Sequence, residues 1–201
     1  MSATVKRILK PWWTGLSIMV ILTVLLGIVY PVVMTGLSLV FPSQSHDSVI
    51  INEQGVVVGS ALLGQSFSDA EGNPLPQYFQ PRPSAAGQGY DGSASAGSNL
   101  GPNSPELVQL IEERRAQVAE FNHVALDAVP ADAVTASGSG LDPDISVAYA
   151  SIQVERVAQT RRLAVDVVSA LVAEHTEGPD LGYIGYARIN VLELNLALDE
   201  L

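Results

Sequence analysis

The sequence predicts a single N-terminal transmembrane helix followed by an extracytoplasmic α+β domain with a small sheet and two or three helices. Three observations predict it. No Asp, Glu, Lys or Arg occurs between Lys10 and Asp47. All 21 acidic residues lie beyond that stretch, with seven Arg and no Lys beside them. Past the stretch, β-branched runs and helical periodicities are separated by long segments rich in Gly, Pro and Ser.

The run from Gly15 to Phe41 is almost wholly apolar. It exceeds the roughly 20 residues that span a bilayer core. A cleaved secretory signal has an apolar core of only about 7–15 residues and a small-residue cleavage site. Here apolar residues continue past Thr35, Gly36 and Ser38 to Phe41, so an uncleaved anchor is expected. A globular core helix of this length would carry a polar face, and this run has none. Its hydroxyls, such as Ser17 and Thr23, are able to bond back to their own helix.

Lys6, Arg7 and Lys10 all precede the span. Basic residues stay on the cytoplasmic side. The expected layout is residues 1–11 cytoplasmic, 12–41 in the membrane and 42–201 outside, at the cell (inner) membrane. Trp12 and Trp13 suit an aromatic belt. Pro31 removes a backbone bond to the Gly27 carbonyl and predicts a kink. Gly27 and Pro31 are accordingly read as candidate contacts to other membrane helices, the alternative being a kinked solitary anchor.

The outer part has a net charge of −14. That excludes nucleic acid as a partner and disfavours an anionic membrane surface. With no Cys there is no disulfide framework and no thiolate metal site. His46, His123 and His175 are too scattered for metal-ligand spacing. Neither a catalytic nor a metal-binding residue is assigned.

Ser48–Gly64 reads as a hairpin, with Asn52–Gly55 as its turn. Phe67–Leu100 is a long Gly/Pro loop, and Tyr78, Phe79 and Tyr90 favour an ordered one. A helix follows, capped by Asn103 or Ser104, with Pro105 at its first position and Glu106 reaching back in a capping box. Ala133–Asp144 is loop again. Asp142 and Pro143 are expected to open a second helix that runs to about Arg162. Another helix covers Val165–Ala173. Arg188–Leu198 reads as a strand, with a helix as the alternative.

Gly87, Gly89 and Gly92 spell a dinucleotide-type glycine pattern. It lacks the strand before and the helix after that such a site needs. Ser139 lies in no nucleophile elbow. A hydrolase would have to recruit His123 or His175 from a distance. A membrane-anchored exported enzyme such as a hydrolase therefore stands as the second functional class.

Four segments cohere: GSALLGQSF (Gly59–Phe67), YFQPRPSA (Tyr78–Ala85), SAGSNLGP (Ser95–Pro102) and ASGSGLDPDIS (Ala136–Ser146). They are followed by SIQVERVAQTRR and by RINVLELNLAL. In this order they closely resemble the C subunit of the bacterial Kdp potassium-transporting ATPase, over nearly the whole chain. One departure is Asp144, where the family often has His. The resemblance implies an accessory, non-catalytic subunit of a P-type, ATP-driven potassium uptake complex. Its implied partners are a channel-like potassium-binding subunit, the P-type ATPase subunit and a small single-span subunit. It also implies a catalytic-chaperone role that raises the nucleotide affinity of the ATPase subunit, with ATP contacted, if at all, through Gln153. ATP is cytoplasmic, and the few residues expected on that side contain no phosphate cradle, so the assembly role carries more weight. Within the long loops, Arg82 is the expected partner contact, because its planar fork makes several directed hydrogen bonds. The alternative is that Arg82 pairs with acids of its own domain.

Overall fold

The computed structural model describes residues 3–39, 48–52 and 55–201. It divides the chain into two units, Met1–Ser48 and Val49–Leu201. The expected boundary at residues 41 and 42, together with His46, lies outside the described residues.

The first unit is helical from Ala3 to Ser38. Helix α1 (Ala3–Val24) runs into a π-helical turn (Leu25–Val29) and on into α2 (Tyr30–Ser38). Pro11–Ser38 is long and apolar enough to cross a membrane. Ser17 Oγ donates to Trp13 O (2.8 Å) and Thr23 Oγ1 to Met19 O (2.7 Å), so these hydroxyls are satisfied within the helix. Pro31 has no N–H to offer Gly27 O. The helix absorbs the gap by widening one turn, and Tyr30 N bonds back to Leu25 O. Such π turns are a recognised way of accommodating a break in the hydrogen-bond ladder.

The second unit contains four short strands, in two sheets, and four α-helices among the described residues. β1 (Val49–Ile51) and β2 (Val57–Ser60) form the expected antiparallel hairpin, with a register irregularity between Ile50 and Ile51. Residues 53 and 54 of its turn lie outside the described residues. Helix α3 (Pro105–Asn122) follows the long loop. Two 3₁₀ turns lead to β3 (Asp144–Ser146), α4 (Val147–Arg161) and α5 (Val165–Glu174). β4 (Arg188–Asn190) then passes directly into α6 (Val191–Asp199). β3 and β4 pair antiparallel, with Ile145 opposite Ile189.

The core sits between this small sheet and helices α4, α5 and α6. It contains Ile145, Val157, Val168, Ile189, Leu194 and Leu198, all nearly or fully buried. Phe79, from the Gly/Pro loop, is buried among them. The loop thus contributes to the core through Phe79, one of its three aromatic residues.

Four sequence expectations are corrected. The domain has two small sheets, not one, and one more helix than expected. The second long helix starts at Val147, not at Asp142. Ser146 is its cap, its Oγ accepting from Tyr149 N, while residues 144–146 are extended and pair with β4. Asp142 instead accepts from Asp144 N (3.1 Å) in a local turn. The segment Arg188–Leu198 is a strand for only three residues. Asn190 then caps α6, its Oδ1 accepting from Leu192 N and Glu193 N. Finally, α3 has Ser104 as its N-cap residue without a side-chain cap bond. A capping box needs the acid three residues past the cap. From Ser104 that position is Leu107, so Glu106 is out of register.

Candidate functional site

Three helical side chains hold the loop from Pro76 to Gln80 from beneath. On α6, Asn195 Oδ1 accepts from Phe79 N (2.8 Å) and Asn195 Nδ2 donates to Phe79 O (2.9 Å). On α4, Gln153 does the same for the next residue. Its Oε1 accepts from Gln80 N (2.7 Å) and its Nε2 donates to Gln80 O (3.1 Å). Two side-chain amides thereby replace a neighbouring strand for two consecutive loop residues. Both amides are essentially fully buried. A loop carrying unpaired peptide groups would not otherwise enter a core.

Arg156, one turn past Gln153, is the third. Its guanidinium donates to Tyr78 O (3.0 Å), Gln153 Oε1 (2.8 Å) and Asn122 Oδ1 (2.9 Å), and also to Pro76 O. It stacks 4.4 Å from the Phe121 ring. Burial lowers its pKa to about 10, so it remains charged at neutral pH. No carboxylate is among these partners. Carbonyl and amide oxygens, with an aromatic face, compensate the buried charge. Arg161 closes the outer edge, donating to Gln77 O (2.8 Å), Leu198 O (3.1 Å) and Asp199 Oδ1 (2.5 Å). Burial, and then the Asp199 carboxylate, raise the pKa of Tyr78 beside it.

The other Gly/Pro/Ser segments converge on the same loop. Ser84 Oγ donates to Gly140 O (2.6 Å) and accepts from Tyr90 N (2.9 Å). Ser137 N bonds to Pro83 O (3.3 Å), Ala96 N to Ser139 O (3.0 Å) and Gly64 N to Leu141 O (2.8 Å). Asn190 Nδ2 donates to Ala61 O (2.8 Å). Two glycines are required by the close approach. A Cβ on Gly64 would lie 2.5 Å from Asp142 O, and Gly140 sits at φ +70° with Ala86 2.7 Å from where its Cβ would be. All four segments, and both helical stretches that follow them, therefore build one connected surface.

Arg82 lies in this surface. Its Nη1 meets Asp142 Oδ2 at 2.7 Å and its Nη2 reaches Thr135 O at 3.4 Å. Its Nε is buried and has no hydrogen-bond partner, and the same is true of Ser137 Oγ. Tyr90 donates to Arg82 O, and burial raises the pKa of that phenol. Arg82 thus has the internal acidic partner considered as its alternative role, while keeping its side chain partly exposed. Asp144 faces Arg188 (3.3 Å). Burial, and then the neighbouring Asp142, raise the pKa of Asp144.

Gln153 is central to the clamp. Both of its polar atoms are engaged by the Gln80 backbone and Arg156. Gly27 lies within the π turn, and a Cβ added there would meet nothing within 4 Å. Its small size is therefore not demanded by its own chain. Asn122, Arg156 and Asn195 were not singled out from the sequence. The available signal was a polar residue on an otherwise apolar helical face, but its partners lie up to 116 residues away.

The chain matches the family described as KdpC, K+-transporting ATPase, c chain, over residues 12–200. It is 50% identical over 182 residues to the potassium-transporting ATPase KdpC subunit of Beijerinckia indica, covering 90% of this chain and 89% of that one. With the KdpC subunit of Kineococcus radiotolerans it shares 48% identity over 198 residues, 98% of this chain and 97% of the relative. With that of Gemmatimonas aurantiaca it shares 52% over 182 residues, 90% and 87% respectively. The segments assembled into this clamp are thus carried by a protein that belongs to the KdpC family, the c-chain subunits of the K+-transporting ATPase.

Proposed function

We propose that the chain is an accessory subunit that performs no chemistry itself and stabilises the assembled, active potassium pump. The observation that carries this reading is the clamp. The long Gly/Pro loop, where an enzyme of this size would keep its reactive groups, is spent on backbone geometry and on a buried guanidinium bonded to carbonyls. Ser139 Oγ, the nearest candidate nucleophile by sequence, accepts from Leu141 N within its own turn. His175 Nδ1 lies 3.0 Å from Leu171 O.

The partners in this reading are the channel-like potassium-binding subunit, the P-type ATPase subunit and the small single-span subunit. Arg82 offers a partly exposed guanidinium to them. Gly27 and Pro31 offer a widened helical turn with open space at the glycine. The N-terminus is cytoplasmic and the α+β domain outside, as the placement of Lys6, Arg7 and Lys10 indicates. A catalytic-chaperone effect on ATP affinity is then transmitted through the assembly. A direct contact at Gln153 would require that amide to release Gln80.

A tagged chain expressed with its neighbouring subunits and purified in mild detergent tests the reading. Co-recovery of those subunits is expected. Their absence, or robust hydrolase activity of residues 46–201 that disappears with Ser139→Ala or His123→Ala, would overturn it.

A further inference from the structure

Between α5 and β4 the chain makes an excursion that no part of the clamp uses. Glu177 and Arg188 exchange both backbone bonds (2.9 and 3.0 Å), and Asp180 and Ile184 exchange another pair (both 2.9 Å). Residues 177–188 thus form a small hairpin arm. Arg188 secures its base, meeting Glu177 at 2.9 Å, Asp180 at 3.7 Å and Asp144 at 3.3 Å.

The tip is apolar and bare. Leu181 is 82% exposed, Tyr183 76% and Tyr186 89%. No charged residue occurs from Leu181 to Ala187. Leu181 also adopts φ +53°, a conformation that Gly or Asn takes at lower cost. Neither internal packing nor backbone preference accounts for a leucine here. Exposed tyrosines on a pinned arm are the composition of interface anchors, and Leu181 extends the same apolar tip.

Charge selects the occupant. The domain is strongly acidic and has no Lys. The one cation at the foot of the arm, Arg188, already faces three carboxylates. An anionic lipid surface recruits basic residues alongside aromatic ones, and the arm supplies none. A second copy would bring two acidic domains together. Tyr186 also lines a cleft of about 340 Å³ shared with Arg82, Asp142 and Arg188, so the arm continues the surface that carries Arg82. We propose that the arm at residues 179–187 is a docking element that inserts Leu181, Tyr183 and Tyr186 into an apolar recess of neutral or basic surround on another subunit of the pump.

This proposal rests on the assembly reading above. Its test is a photoreactive benzoylphenylalanine at Tyr183 in the full chain, expressed with the other subunits and irradiated in native membranes. An adduct containing this chain and one other subunit is expected. An adduct of two copies, a lipid adduct alone, or no adduct would overturn the proposal. In parallel, the triple variant Leu181→Ser, Tyr183→Ser, Tyr186→Ser should lower subunit recovery by about tenfold or more with its melting temperature unchanged. The Tyr183→Phe, Tyr186→Phe pair should assemble normally. Normal assembly of the triple serine variant refutes the arm. If it melts early, the cross-link decides. Failure of the wild-type chain to recover any subunit instead sinks the assembly reading, and the arm with it.

Discussion

Asn195 and Gln153 each satisfy a buried peptide group on both sides, and the cost of losing one of them is calculable. Asn195→Leu would leave Phe79 N–H and C=O buried and unpaired. Each orphaned group costs about 1–3 kcal/mol, so a loss of roughly 3 kcal/mol in unfolding free energy is expected. Gln153→Met should cost a similar amount, and more if Arg156 also loses its anchorage. Urea unfolding followed by circular dichroism measures both; Trp12 and Trp13 lie in the candidate span and do not report on this domain. Wild-type stability in both variants would show that the clamp is ornamental. Asp144 makes a prediction of opposite sign. Its folded pKa is raised above the ordinary 3.8. The native state therefore binds its proton more tightly than the unfolded chain does. Its contribution is fully present below pH 3.8 and is lost as pH rises through the raised value. Asp144→Asn should flatten the fall in stability across that window. A pH series of melting curves that stays parallel to wild type would exclude the effect.

At the scale of elements, the π turn at Leu25–Val29 is a consequence of one residue. Pro31→Ala supplies the N–H that Gly27 O lacks and should let the turn relax to α-helix. Removing the widened turn rotates the flanking helical segments relative to each other by about 100°. If Gly27 and Pro31 contact other membrane helices, recovery of the complex should fall about tenfold, the range of a typical interhelical contact. Unchanged recovery would make the turn a local accommodation only. The elements legible in the sequence were those specified locally. The hairpin followed from its β-branched runs and Asn52–Gly55, α3 from Pro105 and its apolar spacing, and the long apolar helix from the absence of charge. What was illegible depended on distant partners. Residues 144–146 are extended because they pair with β4, 44 residues on. Asn190 ends the final strand by capping a helix within an apolar run whose alternation suggested a continued strand. The clamp joins residues 73 to 116 positions apart, and no local pattern announces it.

At the scale of the whole molecule, a long apolar helix preceded by three basic residues is joined to an acidic domain built around an internally braced loop. The basic residues predict that a C-terminal alkaline phosphatase fusion is active and a cytoplasmic reporter at the same site silent; the reverse pattern would invert the topology. On the function proposed above, this subunit acts through assembly rather than chemistry. The decisive measurement is potassium-stimulated ATP hydrolysis by the pump, purified without this chain and then supplied with increasing amounts of it. Hydrolysis is expected to be low without the chain, to rise saturably as it is added, and to be undetectable with the chain alone. Full activity of the pump without the chain, or ATP hydrolysis by the purified chain itself, would contradict it.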